Sequence, residues 1–163
     1  MCAMEFRTEL AYDASRDEVF AMLSDPAFRE QVAEAQEVVS VDVRLTLTDD
    51  GFKLINDQVQ NTQGLPAIAK KIAGDTTQAV MTEEWTSHTS GSLSITAPGK
   101  PTSATGRISL APDGDGTVEI VELDIKVKVP LVGGRLEKVM ADSIESGYRL
   151  EHTVGRAWLQ DNK

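Results

Sequence analysis

The hydrophobic residues of this chain change period once. Between Val39 and Val129 they recur mostly at every second position, and from Gly134 to Gln160 they recur at the spacing of a helix. A set of amphipathic strands must bury one face and a long amphipathic helix must bury one stripe, so each is the natural cover of the other. The strand signal is clear where Val39, Val41, Val43, Leu45 and Leu47 alternate with Ser40, Asp42, Arg44 and Thr46. It returns where Val121, Leu123, Ile125, Val127 and Val129 alternate with Glu122, Asp124, Lys126 and Lys128. Val118 and Ile120 are out of phase with that second set, which predicts a bulge near Ile120 and Val121.

Turn residues divide the remainder. Asp49-Asp50-Gly51 closes a hairpin onto a return strand over 52–62. Strands are also expected over 76–87, 91–96 and 105–110, separated by Pro98-Gly99-Lys100-Pro101 and Pro112-Asp113-Gly114-Asp115-Gly116. At the start, Phe6, Thr8, Leu10 and Tyr12 share one side of a strand. Ser15 and Glu18 then have capping-box spacing, with Asp13 as an alternative cap, and Asp25-Pro26 ends that helix and opens a second over about 27–35. Leu65, Ile68 and Ile72 repeat at helical spacing between Gly64 and Gly74, a short amphipathic helix. The expected fold is α+β: a seven-stranded antiparallel sheet curled around a long C-terminal helix, with two short helices after the first strand.

The length of 163 residues predicts a single domain over 1–163. The net charge of −10 disfavours nucleic acid and an anionic membrane surface as partners. No apolar run reaches the roughly 18 residues of a membrane span, so stable insertion is not expected. The opening Met1-Cys2-Ala3-Met4-Glu5-Phe6 has no apolar core of a signal peptide, which points to a reducing, cytoplasmic setting. One cysteine, Cys2, and two histidines, His88 and His152, leave little for a metal site, and no cofactor motif is present. The oligomeric state is open.

The element order resembles the helix-grip order of the START and birch-pollen-allergen (SRPBCC) superfamily over nearly the whole chain. The residues that carry the resemblance are Tyr12-Asp13-Ala14-Ser15, Glu18-Val19-Phe20 and Leu23-Ser24-Asp25-Pro26-Ala27-Phe28. Val129-Pro130-Leu131-Val132-Gly133-Gly134-Arg135-Leu136-Glu137, with Gly155-Arg156-Ala157-Trp158-Leu159, is similar to an actinobacterial branch, the domain of unknown function 2505. The resemblance implies a cavity between sheet and long helix that takes a hydrophobic small molecule such as a lipid, polyketide or isoprenoid. The alternatives are a cyclase- or dehydratase-like enzyme acting in the same cavity, and a ligand-free structural or partner-binding domain.

Several residues are candidates for such a site. The long helix has a stripe of Leu136, Met140, Leu150, Val154 and Trp158, and its middle is small at Ser143 and Gly147, which leaves room for a ligand or for close packing. Gly155 falls off the centre of that face, and His152 lies far from it, facing solvent. Met81, Glu83 and Trp85 share one strand face; if Trp85 points inward, so does Glu83. In the return strand, Ile55, Asp57 and Val59 share one face and Phe52, Leu54, Asn56, Gln58 and Gln60 the other, so an inward polar group is expected whichever face turns in. Glu83 and Asp57 are the candidates to bind a ligand's polar end, and with His88 the candidates for acid–base work. Leu65, Ile68, Ile72 and His88 are the expected border of the entrance, with Gly64 and Gly74 as hinges.

Overall fold

The structure is a computed structural model that describes residues 3–162; Cys2, expected to be inert, lies outside them. In chain order the elements are β1 (Met4–Tyr12), α1 (Arg16–Leu23), α2 (Pro26–Ala35), β2 (Ser40–Leu47), β3 (Phe52–Asn61) and α3 (Ala67–Ala73). They continue with β4 (Thr76–Trp85), β5 (Ser90–Thr96), β6 (Thr102–Asp113), β7 (Gly116–Val127) and α4 (Gly133–Asp161). Ser15 and Glu18 cap α1 reciprocally, at 3.2 and 3.1 Å. Asp25 accepts from the Ala27 amide at 2.9 Å, and Pro26 takes the first turn of α2, where its missing N–H is no loss.

The seven strands are paired antiparallel throughout in the order β1-β7-β6-β5-β4-β3-β2. β1 and β2 are thus the two edges, and α1 and α2 join them. Two short helices can span from one edge to the other only if the sheet curls, and α4 lies in the curl. It packs mainly on β1, β7 and α2, and reaches α1 and α3 more lightly. The core is built by the inward positions of every strand, among them Leu10, Leu54, Leu93, Ile108, Val121 and Ile125.

The register corrects one expectation. β7 pairs without interruption with β1 and with β6, so there is no bulge at Ile120 and Val121. Glu119 instead continues the inward set of Val121, Leu123 and Ile125 and is fully buried, while Val118 and Ile120 turn outward. A glutamate at an inward position reads in sequence as a solvent face; here the carboxyl is fully buried and held well above the usual carboxylate range by that burial.

The face of α4 is also rotated from the expected one. Its buried residues are Gly133, Leu136, Glu137, Ala141, Tyr148, Glu151, Gly155 and Leu159. Leu150 is 40% exposed, and Met140, Val154 and Trp158 only flank the core. Gly155 is central: the Tyr12 ring occupies the place a side chain would need. His152 is half-buried, with Nε2 2.7 Å from the Ala11 carbonyl and its ring against Tyr12. Reading the stripe from hydrophobicity alone shifts it toward Leu150, because Tyr148 and Glu151 hold the true centre.

Candidate functional site

One end of the space between sheet and helices is filled by aromatic rings. Phe52 and Trp85 stack at 5.6 Å, Phe20 meets Trp85 edge-on at 5.9 Å, and His88 lies flat on Phe20 at 4.0 Å. Toward the other end the inward positions become polar or small. β3 changes from Phe52 and Leu54 to Asn56 and Gln58, all buried, and β4 offers Ala79 and Met81. The flank of α4 that faces them carries Met140, Ser143 and Gly147. Side chains of this size do not meet across the gap, and a cavity of about 740 Å³ remains, also lined by Val32 of α2, by Gln36 just after that helix, and by Ala69 and Ile72 of α3. That volume is in the range of small-molecule sites.

At the inner wall sits a charged cluster. Arg29 of α2 is 2% exposed, and its Nη1 and Nη2 donate to the two carboxylate oxygens of Glu83 at 3.1 and 3.0 Å. Its Nε donates to the Leu23 carbonyl at 2.9 Å, and Nη1 lies 3.5 Å from Glu151 Oε1. Glu83 further accepts from the Trp85 indole at 2.8 Å. Such a pair is held by geometry: both desolvated charges have found partners, and removing either would strand the other.

Glu119 and Glu151 face each other beside that pair. Burial first, then the charges of Glu151 and Glu83, hold the Glu119 carboxyl well above the usual range against the pull of Arg29. Burial also raises Glu151, to about 7, with Arg29 opposing and Glu83 adding. Neither Glu119 oxygen finds an N–H or hydroxyl donor in the protein. Burial and each other's charge make it costly for both carboxyls to ionise, so the pair titrates as a unit and favours keeping a proton. Tyr12 and Tyr148 border the cluster, and burial, then the nearby carboxylates, keeps both phenols neutral.

The expected site residues fall into two groups. Met140, Ser143, Gly147, Leu65 and Ile72 line the cavity. Gly147 is also close to α2, since its carbonyl accepts from Gln36 Nε2 at 3.2 Å. Glu83 is inward, but it stands behind Arg29 rather than on the cavity wall, and Trp85 belongs to the aromatic end. Asp57 is a correction: β3 turns Asn56 and Gln58 inward, so Asp57 points to the outer face, where it accepts from Gln78 at 2.8 Å. His88 is another: α3 and His88 lie at opposite ends of the ten-residue β4, roughly 30 Å apart along the strand, so His88 does not border the same opening. Ile68 packs with Leu65 and Ile72 in the cluster around Val127 and Leu136. Arg29, Glu119, Tyr148 and Glu151 were not singled out from the sequence, because each lies on an element whose polar residues are mostly exposed. Among the described residues no group of three or more His, Cys, Asp or Glu could hold a metal ion, and no helix is long and apolar enough to cross a membrane.

A family model described as "Protein of unknown function (DUF2505)" matches residues 7–159. The chain belongs to this family. No curated protein matches it. Among solved structures, the di-domain ARO/CYC StfQ from the steffimycin biosynthetic pathway is similar with a TM-score of 0.66 at 12% identity, over 99% of this chain and 52% of that one. Ara h 8.0201 is similar with a TM-score of 0.64 at 9% identity, over 94% of this chain and 97% of that one. A START superfamily protein from Mycobacterium smegmatis has a TM-score of 0.56 at 17% identity, over 98% and 99% of the two chains. The DUF2505 chain therefore has the START and birch-pollen-allergen-like fold expected from its residues.

Proposed function

We propose that the protein binds a hydrophobic small molecule of the lipid, polyketide or isoprenoid kind between α4 and the sheet, as a carrier or sensor working in the cytoplasm. The observation that carries this reading is the cavity of about 740 Å³ left where β3 and β4 change from large apolar to small and polar inward residues. The elements that close tightly at the aromatic end stand apart here by a volume that suits a small molecule. The fold shared with StfQ and Ara h 8.0201 is compatible with such a role and does not specify the ligand. The test is native mass spectrometry of the protein purified without detergent, followed by solvent extraction. A defined extra mass that extracts into organic solvent is expected; a bare chain that also fails to bind Nile red would remove the reading.

One observation favours a second reading, an enzyme of the cyclase or dehydratase type. Glu151 is a cavity-lining carboxyl held near neutrality, with a neighbouring acid able to return its proton. That is the arrangement a general acid–base catalyst needs. Turnover of a bound polyketide-like compound that is lost in Glu151→Gln while binding persists would establish it.

A further inference from the structure

Two hydrogen-bonding atoms in the inner wall are buried, lack any partner in the protein and belong to residues that line the cavity: Asn56 Oδ1 and the Tyr148 hydroxyl. Asn56 is 4% exposed and Tyr148 6%. Glu151 Oε2 is a third such atom. The topology brings them together. Asn56 is the inward residue next to Leu54, and Leu54 pairs directly with Glu83, so Asn56 stands diagonally beside the carboxylate that grips Arg29. Tyr148 and Glu151 are one helical turn apart on α4. Buried polar atoms are seldom left unsatisfied, and a group of them on one wall of a cavity marks the place where something else supplies the hydrogen bonds.

The chemistry of the missing partner follows from what the wall offers. Asn56 Oδ1 and Glu151 Oε2 can only accept, and Tyr148 can accept or donate. The cation of the cluster is already engaged, with Nε on the Leu23 carbonyl, Nη1 on Glu83 and Glu151, and Nη2 on Glu83. A carboxylate placed there would stand against the acidic Glu151 and Glu119, and the Arg29 cation beside it is already paired with two carboxyls. We propose that the inner end of the cavity recognises a hydrogen-bond donor, a hydroxyl or an ammonium group, carried on an otherwise apolar ligand, and excludes a carboxylate head. This rests on the hydrophobic-ligand reading above and specifies the polar end of that ligand.

The test uses four probes with one apolar body: naphthalene, 1-naphthol, 1-naphthylmethylamine and 1-naphthoate, each displacing Nile red from the full chain at about pH 8, where carboxylates and primary amines are both ionised. The donor-bearing probes should bind about tenfold more tightly than naphthalene, the worth of one good buried hydrogen bond, and 1-naphthoate more weakly than naphthalene. A gain confined to the amine would identify Glu151 as the main acceptor, and one confined to the naphthol would identify Asn56 and Tyr148; both support the proposal. Asn56→Leu and Tyr148→Phe each remove an unpartnered atom, so they should fold at least as stably as the parent and lose most of the preference for donor-bearing probes over naphthalene. If all four probes bind within twofold of each other, or 1-naphthoate binds best, the donor site is overturned while the hydrophobic-ligand reading stands. If Nile red and every probe fail to bind, both fall.

Discussion

Arg29 grips Glu83 with both Nη nitrogens, at 3.1 and 3.0 Å, across 54 positions of sequence and with neither side chain more than 2% exposed. The pair ties α2, one of the two helices that join the edges of the sheet, to β4 two residues before that strand ends. It thereby fixes the wall between the aromatic end and the cavity.

Its energetics set the first prediction. Arg29→Met leaves the Glu83 carboxylate buried with the Trp85 indole as its remaining donor, and should destabilise the fold by about 3–5 kcal/mol. Arg29→Met combined with Glu83→Met removes both charges and should cost clearly less than Arg29→Met alone. Urea unfolding of the two variants decides it: equal losses would mean that the charges contribute no more than their packing volume.

Glu119 sets a prediction in pH. Its folded-state carboxyl is raised above the unfolded value of 4.5, and so is that of Glu151, to about 7. A carboxyl raised on folding holds its proton in the native state while the unfolded state loses it. The associated stability is complete below about pH 4.5 and drains away as pH climbs toward and past 7. Glu119→Gln keeps the size and polarity of the side chain without a titrating proton. It should match the parent near the acid end of this window and exceed it at the alkaline end, where the parent must still take up a proton to fold. Thermal unfolding of both across the window measures the difference; parallel curves would show that Glu119 is ionised in the native state.

The two glycines inside α4 should behave oppositely. A Cβ on Gly155 would lie 2.8 Å from Tyr12 Cε1 and 2.9 Å from its hydroxyl, and the ring is itself buried, with His152 against it. Gly155→Ala should therefore destabilise by about 1–3 kcal/mol through forced displacement of the ring, in spite of a better helix propensity. At Gly147 the nearest obstacle is Gln36 Nε2 at 3.3 Å, the far end of a flexible side chain. Gly147→Ala should be neutral or stabilising by up to about 1 kcal/mol. Chemical unfolding of the pair tests the contrast.

What the sequence made legible follows the same physics. Elements whose burial is apolar could be read directly: the alternation of 39–47, the capping box at Ser15 and Glu18 and the helical period after Gly134 all correspond to observed elements. The site could not be read in this way, because its residues violate the pattern used to read everything else. Glu119 broke the alternation of β7 and looked like a bulge; Glu151 and Tyr148 displaced the apparent stripe of α4 toward Leu150. In β3 both faces were polar, and only the burial of Phe52 and Leu54 beneath the aromatic end brings Asn56 inward and sends Asp57 out. Arg29 carried no signal at all on a helix whose other charged residues are exposed. A buried polar cluster is specified by partners distant in sequence, and one chain read in order does not show which of its glutamates share a partner.

The last prediction concerns the way in. α3 lies over the end of the cavity away from the aromatic cluster. Leu65 and Ile72 line the cavity, and with Ile68 they pack against Val127, Leu136 and Met140. The segment hangs between Gly64 and Gly74, each at φ +87°, a conformation that other residues adopt only under strain. Its far side is held by Lys100 Nζ, which donates to the Ile72 carbonyl at 3.2 Å, and its base by the buried Thr62, whose amide donates to the Asp75 carbonyl at 3.1 Å. Few of these contacts are deep, so α3 is the element whose opening disturbs the core least. In hydrogen exchange, amides 67–74 should exchange faster than those of β6 and β7, and saturation with Nile red should slow them selectively, since an occupant under the segment favours its closed position. Lys100→Ala, which frees the Ile72 carbonyl, should speed exchange across α3 and quicken Nile red association without altering the exchange of β1. Protection of α3 equal to that of β6 in the free protein, unchanged by Nile red and by Lys100→Ala, would show a docked helix and place the entrance elsewhere, between Gln36 and the exposed flank of α4 around Ser143.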